Sequence, residues 1–598
     1  MTLATVLIAT TVFTSVFYGF LGVAVQPVSA DDVTTSITVL NTPPTWTVNA
    51  EESTESSATI PTNANTSISW TGTGTDSSGD NYFLLICKTG AAPTAIANAP
   101  PTCNGGSANQ WARSATTTSG AQATAATTTR DYFPFENESN DWHAWICDAN
   151  ASLPRCNLTA TQGSGLTASP FIVNHTPYFN LIVNDGPEDP NGTITWTSTS
   201  FDNDSVGGAD TVTLVVCRLN DFTGTFCGPG GGWATSTAAA ANAATTTALN
   251  QIMRDGTYNA YVFLYDNHGL VASSSRQGFN SSFDVNNVAP NVTTSTIAIL
   301  DTDDTGNLTL QNAAATTSGF KINFTVTDSN SCQNISSGAE FVSATANVYR
   351  SGVSSTSCNT SGHYNTNNCY PDASSQVQMV CVQDGGTCSG ATDPDSTWTC
   401  TFDLWFNADP TDTTTQFTAQ NWLATVQVTD DDSALSYLTE AGTGNDVASF
   451  LAFNVSSTSI PYGSLEPGAT STLATSTDLI AQGNIGLDQD IYGDTMCPTW
   501  TSADSCDSNG INPANDIIVS NQKFATSTVA WESAVAVALT SSSSPTDFKI
   551  QVAKPTSTST LPVKYTYWGI RVPNTITTAG TYTGQNTIIG KKSNPTFW

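Results

Sequence analysis

The sequence predicts an all-β protein made of tandem antiparallel β-sandwich domains joined in a rod. A module occurs twice, at residues 68–174 and 194–286, with ordered matches at a period of about 120 residues. Short runs rich in β-branched and aromatic residues, such as those at 81–87 and 422–428, are bounded by turn residues, and no long helical period interrupts them. Short strands in domains of this size typically build antiparallel sandwiches.

Each copy of the module begins with a tryptophan-bearing strand and ends with a short apolar strand. Trp70 and Trp196 hold equivalent places in the first strand, and the copies close on the sequences Phe-Ile-Val-Asn and Phe-Asp-Val-Asn. Tryptophans that repeat inside strands indicate sandwich cores. Trp142 and Trp145 allow the alternative that exposed aromatic rings stack on sugars.

The N-terminus predicts an export signal over residues 1–30. Residues 2–25 carry no charge and are mostly apolar or threonine, and Val28-Ser29-Ala30 offers small residues at a cleavage site. The mature chain would then begin at Asp31 and keep no membrane span. No Lys or Arg precedes the apolar run, and an uncleaved membrane anchor is the alternative, since about 20 apolar residues can cross a bilayer.

The cysteines agree with export because there are 14 of them, an even number in close pairs. The repeat and the local counts predict four short-range disulfides: Cys87–Cys103, Cys147–Cys156, Cys217–Cys227 and Cys497–Cys506. Six more cysteines share one region and allow 15 connectivities, none of which is preferred: Cys332, Cys358, Cys369, Cys381, Cys388 and Cys400. Zinc is disfavoured, since no Cys-x-x-Cys occurs and the chain has four histidines.

A recurring junction divides the chain. A closing strand is followed within a few residues by a proline, as at 37–39 before Pro43, 171–173 before Pro177, 283–285 before Pro290 and 453–455 before Pro461. Proline restricts the joint and stiffens it. The resulting organisation is a signal peptide at 1–30, sandwiches at 31–175, 176–288 and 289–456, the third with a cysteine-rich insertion at 329–400, and a C-terminal sandwich at 457–598. The last domain is expected to end in a strand over 579–588.

Charge limits the class of partner. Sixteen Lys and Arg oppose 49 Asp and Glu, a net charge of −33. Such acidity argues against nucleic acid or anionic lipid as a partner and favours cations. Residues 456–598 hold ten acids against seven bases, a net of −3, and end near Lys591 and Lys592. The last domain is therefore expected to dock against an acidic neighbour or the cell envelope; simple local packing of that tail is the alternative.

Two acidic stretches are candidate calcium ligands. Asp301, Asp303 and Asp304 place carboxylates in a turn like that of a helix–loop–helix calcium loop, but position 12 is Asn312 where a glutamate is needed. Calcium held at a domain joint therefore fits this stretch better than a calcium loop of that type. The second stretch, Asp430-Asp431-Asp432, follows a strand ending at residue 428. Solvated acidic turns are the alternative for both stretches.

Catalysis is not expected. The four histidines lack metal-binding spacing, and neither His-Glu-x-x-His nor Gly-x-Ser-x-Gly occurs. Glu136 and Glu138 would share one face of a strand, as would any two exposed acids at that spacing. Asn-x-Ser/Thr sequons allow glycans as further partners.

The junctions, the tryptophan-bearing strand and the terminal Gly-x-Tyr-x-Gly stretch at 580–584 resemble bacterial or archaeal immunoglobulin-like surface proteins, including surface-layer proteins. The resemblance covers residues 33–598 and implies an immunoglobulin-like sandwich fold on the cell exterior. It carries no catalytic residue. We expect a structural cell-surface protein, a surface-layer or envelope-coat subunit that self-associates into a lattice. An adhesin or glycan-binding surface protein is the alternative, and an enzyme ranks third.

Overall fold

The structure is a computed structural model that describes residues 36–37, 39–131, 137–240, 243–250, 252–273, 275–358, 362–371, 379–503, 506 and 510–598. The predicted signal peptide at 1–30 and Glu136 lie outside these residues. The chain forms two compact units, Met1–Asn174 and His175–Trp598. Within the described residues the only α-helix is the single turn Ser355–Cys358, so the fold is all-β as predicted.

Sandwich 1 fills the first unit. Its strands are β1 (Thr45–Glu52), β2 (Thr62–Asn63), β3 (Ser67–Thr75), β4 (Tyr82–Cys87), β5 (Thr94–Ile96), β6 (Ala99–Thr102), β7 (Gln110–Arg113), β8 (Gln122–Thr128), β9 (Ser139–Asn140), β10 (His143–Asp148) and β11 (Phe171–Asn174). One sheet has the order β1-β3-β8 and the facing sheet the order β10-β4-β7. Alternate residues of β3 are buried, whereas β4 is buried throughout, because β3 lines one wall and β4 crosses the core. Trp70, Trp142 and Phe171 meet edge to face in that core, as the repeated tryptophan predicted.

Sandwich 2 begins the second unit and repeats this plan. Its strands are β12 (Tyr178–Asn184), β13 (Thr193–Phe201), β14 (Thr211–Cys217), β15 (Gly232–Thr235), β16 (Ala239–Ala240), β17 (Ala244–Asn250), β18 (Gly256–Tyr258), β19 (Tyr261–Asp266), β20 (Phe279–Asn280) and β21 (Phe283–Val285). One sheet has the order β12-β13-β17, and the other contains β15-β14-β19-β20. Trp196 packs against Phe283 in the core, the same contact that Trp70 makes with Phe171.

Sandwich 3 follows directly. Its strands are β22 (Asn291–Val292), β23 (Ala298–Leu300), β24 (Thr316–Thr327), β25 (Phe341–Arg350), β26 (Cys369–Pro371), β27 (Val380–Gln383), β28 (Asp395–Trp405), β29 (Trp422–Asp430) and β30 (Thr439–Glu440). The sheets have the orders β22-β24-β28-β27 and β26-β25-β29-β30. This corrects the expected insertion at 329–400: β25, β26, β27 and the start of β28 lie within it, and β25 pairs with β29 along its length. The stretch is part of the sandwich because its alternating residues face the core.

The C-terminal sandwich comprises β31 (Phe453–Asn454), β32 (Thr475–Ala481), β33 (Leu487–Gly493), β34 (Gln522–Ala525), β35 (Val537–Ala538), β36 (Thr546–Val552), β37 (Val563–Ile570) and β38 (Asn586–Lys592). Its sheets have the orders β31-β32-β37-β34-β35 and β36-β33-β38. Two expectations are corrected. The strand at Phe453 pairs with β32 of this sandwich and does not close sandwich 3. The expected terminal strand over 579–588 begins only at Asn586, where pairing with β33 starts.

Seven disulfides staple the sandwiches. The four short-range pairs predicted from the repeat and the local counts are all present: Cys87–Cys103, Cys147–Cys156, Cys217–Cys227 and Cys497–Cys506. The region left open by the sequence is connected as Cys332–Cys388, Cys358–Cys369 and Cys381–Cys400. Each sandwich has two facing sheets, and a long early strand (β3, β13, β24 or β32) pairs with a strand later in the domain. The chain is therefore a set of disulfide-stapled, tandem immunoglobulin-like β-sandwiches.

Candidate metal centre

Three equivalent positions carry acids in each of the first three sandwiches. The first position follows a long early strand, which is β3, β13 or β24. The second lies just before the next long strand, which is β4, β14 or β25, and the third ends the partner of that strand, which is β10, β19 or β29. These positions meet at one end of a sandwich because the two later strands are antiparallel neighbours, as Phe341 and Asp430 are in register. The residues are Asp76, Asp80 and Asp148 in sandwich 1, Asp202, Asp210 and Asp266 in sandwich 2, and Asp328, Glu340 and Asp430 in sandwich 3.

In sandwich 3 the three carboxylates converge. Asp328, Glu340 and Asp430 each place an oxygen within 4.8 Å of the others, and all three are buried. Glu340 is 0% exposed, and neither of its carboxylate oxygens has a hydrogen-bond partner among the described residues; Oδ2 of Asp328 also lacks one. An unpartnered buried carboxylate is costly unless it is protonated or bound to a cation.

Electrostatics at this cluster follow from burial. Burial, followed by the charges of neighbouring acids, raises the pKa of Glu340 to about 9. Burial likewise raises the pKa of Asp328 to about 7, against an opposing hydrogen bond from the backbone N–H of Asn330. Cys332 lies in the segment between these two acids and is joined to Cys388 by a disulfide, and the N–H of Glu340 donates to the carbonyl oxygen of Cys332. The disulfide therefore anchors the segment that connects the two acids.

The cluster lies at the joint between sandwich 2 and sandwich 3. Asp255, which directly precedes β18 of sandwich 2, has its pKa raised to about 6 by burial, by a hydrogen bond with Asp432 and by the charges of Asp432 and Asp431. Acids of both domains therefore face one another. The amide of Asn330 donates to the carbonyl oxygens of Met253 (3.1 Å) and Asn286 (2.9 Å).

The peptide that links the two domains is held to the same place. The N–H of Val288 donates to Oδ1 of Asn330, and Nδ2 of Asn287 donates to Asp430 Oδ2 at 3.1 Å. The joint is thus a hydrogen-bonded structure with carboxylates from both sides, which is the donor chemistry of a calcium site.

A second acidic cluster lies in sandwich 2, at the end equivalent to the one that holds the cluster in sandwich 3. Asp202, Asp204 and Asp210 are buried and hold carboxylate oxygens within 4.8 Å of one another. Burial raises the pKa of Asp202 to about 7, and its Oδ2 has no partner among the described residues. Here two imidazoles approach: Nδ1 of His175 lies 2.7 Å from Asp204, and Nε2 of His268 lies 3.5 Å from Asp210.

Sandwich 1 uses the same positions differently. Asp148 Oδ2 accepts hydrogen bonds from Nδ2 of Asn41 and from the N–H of Arg155, and Asp80 accepts one from Asn150. Burial raises the pKa of Asp148. Asp80 and Asp148 are thus engaged in hydrogen bonds, whereas Oδ2 of Asp76 has no partner among the described residues. The three acids do not form a convergent trio within the part of the chain that the structure describes.

The sequence-predicted ligands divide into two groups. Asp301 accepts hydrogen bonds from the N–H groups of Thr302 and Thr309, Asp303 from Thr305, and Asp304 forms an ion pair with Lys321 at 2.6 Å. These bonds stabilise the turn, and the turn does not join a metal-ligating trio among the described residues.

The other predicted stretch does reach the joint. Asp430 is a member of the cluster, Asp432 faces Asp255, and Asp431 accepts a hydrogen bond from Asn334. Sequence reasoning missed Asp328, Glu340 and Asp255. The available signal was positional: in each of the first three sandwiches an acid follows a long early strand (β3, β13 or β24) and another lies just before the next long strand.

The joint between sandwich 3 and the C-terminal sandwich has a different chemistry. Lys554 is buried and pairs with Asp409 at 2.9 Å, and Asp409 also pairs with Arg350 at 2.9 Å. Nζ of Lys592 donates to Oγ of Ser449 at 2.9 Å. Lysines of the last domain thus supply positive charge at this joint, in line with the near-neutral charge of residues 456–598.

Comparison with known proteins found solved structures that resemble this chain only at low similarity. Two solved structures, each a marsupial T cell receptor, are similar to the chain. The first is 7% identical in sequence and has a TM-score of 0.23. The match covers 63% of this chain and 95% of the receptor chain. The second is 9% identical in sequence and has a TM-score of 0.14. The match covers 63% of this chain and 96% of the receptor chain. No protein family matches the sequence. No curated protein matches it. None of the described helices has the length and apolar character needed to span a membrane.

Proposed function

We propose that the chain is a structural cell-surface protein, a subunit of a surface layer or envelope coat, whose immunoglobulin-like domains are locked together by calcium. The observation that carries the proposal is the carboxylate cluster at the joint between sandwiches 2 and 3, with Asp328, Glu340 and Asp430 on one side and Asp255 on the other. Seven disulfides support an extracellular location, since such bonds persist in oxidising surroundings.

A cation would convert repulsion at the joint into contact. Acids of the two domains lie within a Debye length of about 8 Å, where salt only weakens the repulsion and creates no attraction. A bound divalent ion is attracted to carboxylates of both sandwiches at once, so the angle between the domains becomes fixed. A chain with fixed joints transmits load and packs in register, which is what a coat subunit requires.

The donor set favours calcium over transition metals. Every candidate ligand at this joint is an oxygen of Asp or Glu, together with nearby amide and carbonyl oxygens, and no histidine or cysteine belongs to the trio. Calcium takes six to eight oxygen ligands in flexible geometry, whereas zinc and copper prefer nitrogen and sulfur. The overall charge of −33 also makes divalent cations natural bridges between neighbouring copies.

The test uses the full mature chain and two matched variants. Asp328→Asn removes one cluster carboxylate, and Asp303→Asn removes one exposed carboxylate of the same sandwich. Calorimetric titration with calcium should show a site in the wild type that is retained in Asp303→Asn and weakened at least tenfold in Asp328→Asn, since one charged ligand is lost. Hydrogen exchange should show calcium-dependent protection at residues 253–256 and 286–290. Equal affinity in both variants would overturn the assignment of the site.

The coat itself is tested on cells. Electron microscopy of the intact envelope with antibody against this chain should show an abundant, ordered array that loosens in EDTA while the isolated sandwiches keep their far-UV circular dichroism. Sparse, unordered labelling would replace the coat proposal with the adhesin alternative. An ordered array indifferent to EDTA would remove calcium from the assembly and leave contacts made by protein alone.

A further inference from the structure

The loop that joins β13 to β14 supplies all three acids of the cluster in sandwich 2. It begins at Asp202, ends at Asp210 and contains Asp204 between them. Gly207 and Gly208 have φ angles of 89° and 142°, a region that favours glycine, and they turn the chain back towards the start of the loop. The N–H of Asp210 accordingly donates to the carbonyl oxygen of Asp204 at 3.4 Å. One short loop thus brings three carboxylates to one place.

One oxygen in this loop has no partner. Asp202 is only 7% exposed, and its Oδ1 accepts a hydrogen bond from the N–H of Asp204 at 3.0 Å. Its Oδ2 has no hydrogen-bond partner among the described residues. The same carboxylate lies with those of Asp204 and Asp210 in a group whose oxygens are within 4.8 Å of one another. A buried carboxylate in that position has to be protonated or bound to a cation.

Two imidazoles hold the other two acids of the cluster. Nδ1 of His175 lies 2.7 Å from Oδ1 of Asp204, and Nε2 of His268 lies 3.5 Å from Oδ1 of Asp210. His268 is kept in place by a turn, because Oδ1 of Asp266 accepts hydrogen bonds from its N–H at 2.9 Å and from the N–H two residues later at 2.8 Å. Groups that bind the outer side of a ligating carboxylate orient it towards a metal.

The cluster differs from that of sandwich 3 in where its third carboxylate comes from. Two positions after the first acid, sandwich 3 has the neutral Asn330 and sandwich 2 has Asp204, and each accepts the N–H of the peptide that enters its domain. At the end of the later strand, Asp430 belongs to the cluster of sandwich 3, whereas its equivalent Asp266 closes the turn before β20. Sandwich 2 therefore forms its trio within one loop, without a residue from another domain.

We propose that Asp202, Asp204 and Asp210 bind a calcium ion of their own, separate from the one at the joint between sandwiches 2 and 3. The three ligands are carboxylate oxygens, and calcium accepts such oxygens in flexible geometry, with carbonyl groups and water completing its shell. Zinc would favour nitrogen ligands, but the converging group contains no imidazole. This site does not rest on the proposed function and would stand if the joint held no metal.

The ion would order the start of sandwich 2 together with the loop. Without a cation, the charges of three neighbouring carboxylates repel one another across the loop. With calcium bound, Asp204 is fixed, and Asp204 also accepts the N–H of His175 at the entrance to the domain. Calcium should therefore slow hydrogen exchange at residues 202–210 and at the amide of His175.

The experiment uses the full mature chain carrying Asp328→Asn, which removes a carboxylate of the joint cluster in sandwich 3. In that background Asp202→Asn removes the unpartnered carboxylate of the loop. Asp284→Asn is the matched control, since Asp284 is an exposed acid of the same sandwich that accepts a hydrogen bond from Thr257. Calorimetric titration with calcium chloride should find one site in the background and in the control. Its affinity should fall about tenfold or more in Asp202→Asn, because a charged ligand is lost.

Hydrogen exchange places the bound ion. Calcium-dependent protection of residues 202–210 should be present in the background and in Asp284→Asn and lost in Asp202→Asn. Titration with zinc chloride tests the class of metal, and zinc should bind this site more weakly than calcium. Zinc that binds more tightly than calcium, with an affinity that falls in His268→Ala, would overturn the assignment to calcium because an imidazole would then be a direct ligand.

Failure of this site can be told apart from failure of the joint site. Equal calcium affinity in Asp202→Asn and Asp284→Asn, or calcium-dependent protection that leaves out the loop, would overturn the site, and Asp202 would then be buried with a proton. Because every variant carries Asp328→Asn, that result is independent of the joint. A chain that binds calcium in the loop but shows no difference between wild type and Asp328→Asn would refute the calcium joint and leave the loop site in place.

Discussion

Replacing the buried Glu340 with glutamine should stabilise the calcium-free protein at neutral pH. Glu340 has its pKa raised from 4.5 to about 9, so the folded state holds a proton that the unfolded chain has lost. Folding stability therefore falls as the pH rises from about 4.5 towards 9, because the folded state binds more protons than the unfolded state over that range. At about pH 7.5 this spans three pH units, at about 1.4 kcal/mol each, or about 4 kcal/mol in total.

Glutamine removes that cost because it carries no charge at any pH. In EDTA at about pH 7.5 we expect Glu340→Gln to raise the free energy of unfolding of the joint by up to about 4 kcal/mol, and at about pH 4.5 by close to nothing. In calcium the difference narrows to about 1 kcal/mol. A wild type saturated at a hundredfold excess over its Kd gains about 2.7 kcal/mol, and the variant loses that gain along with a ligand.

The assay is urea unfolding of the full chain at both pH values, in EDTA and in calcium, with hydrogen exchange at residues 325–345 to localise the effect. Asp303→Asn serves as the control, since it removes an exposed carboxylate in the same sandwich and should shift stability by less than about 0.5 kcal/mol. A Glu340→Gln protein that is less stable than the wild type in EDTA at about pH 7.5 would refute the reasoning, since the carboxylate would then be satisfied without a metal.

Two further predictions concern other buried charges. Glu52, which accepts hydrogen bonds from Ser56 and Trp142, has its pKa raised to about 7 by burial, so the stability of sandwich 1 should fall by up to about 3 kcal/mol between pH 4.5 and 7. Glu52→Gln should flatten that dependence in pH-dependent unfolding, and an unchanged slope would contradict it. Lys554→Met should destabilise the C-terminal joint by about 3 kcal/mol, because buried Asp409 loses one of its two cations. Its unfolding curve should be the same with calcium and with EDTA; dependence on calcium would place a metal there as well.

Local pattern accounts for most of what the sequence predicted. The alternation in β3 and the apolar run of β4 depend only on neighbouring residues, and so do the turns that bound them. The pair Cys217–Cys227 was decided by counting, because its module holds no other cysteine, and the repeat extended the result to Cys87–Cys103. Neither counting nor the repeat could assign the disulfides of region 329–400. Six cysteines and four strands share this region, and disulfide connectivity there depends on which strands pair.

The candidate site shows the same division. Asp430 to Asp432 stood out as a run of acids, and the structure places Asp430 in the cluster. Asp301, Asp303 and Asp304 formed as clear a run, yet their carboxylates are bonded within the turn and to Lys321. A run of acids in the sequence shows that negative charge is present. Whether the carboxylate oxygens converge depends on whether nearby backbone N–H groups or cations already bind each carboxylate.

By itself the sequence determined the fold class, the repeated module, four of the disulfides and the acidity that points to cations. Only the tertiary structure decided that Asp328, Glu340 and Asp430 meet, because a register between β25 and β29 brings together residues that are about ninety positions apart. It alone also decided how the six cysteines of 329–400 pair. A strand sequence specifies which face is apolar, but hydrogen bonding to a neighbour is a property of the assembled sheet, so these contacts become visible only when the sandwich is in place.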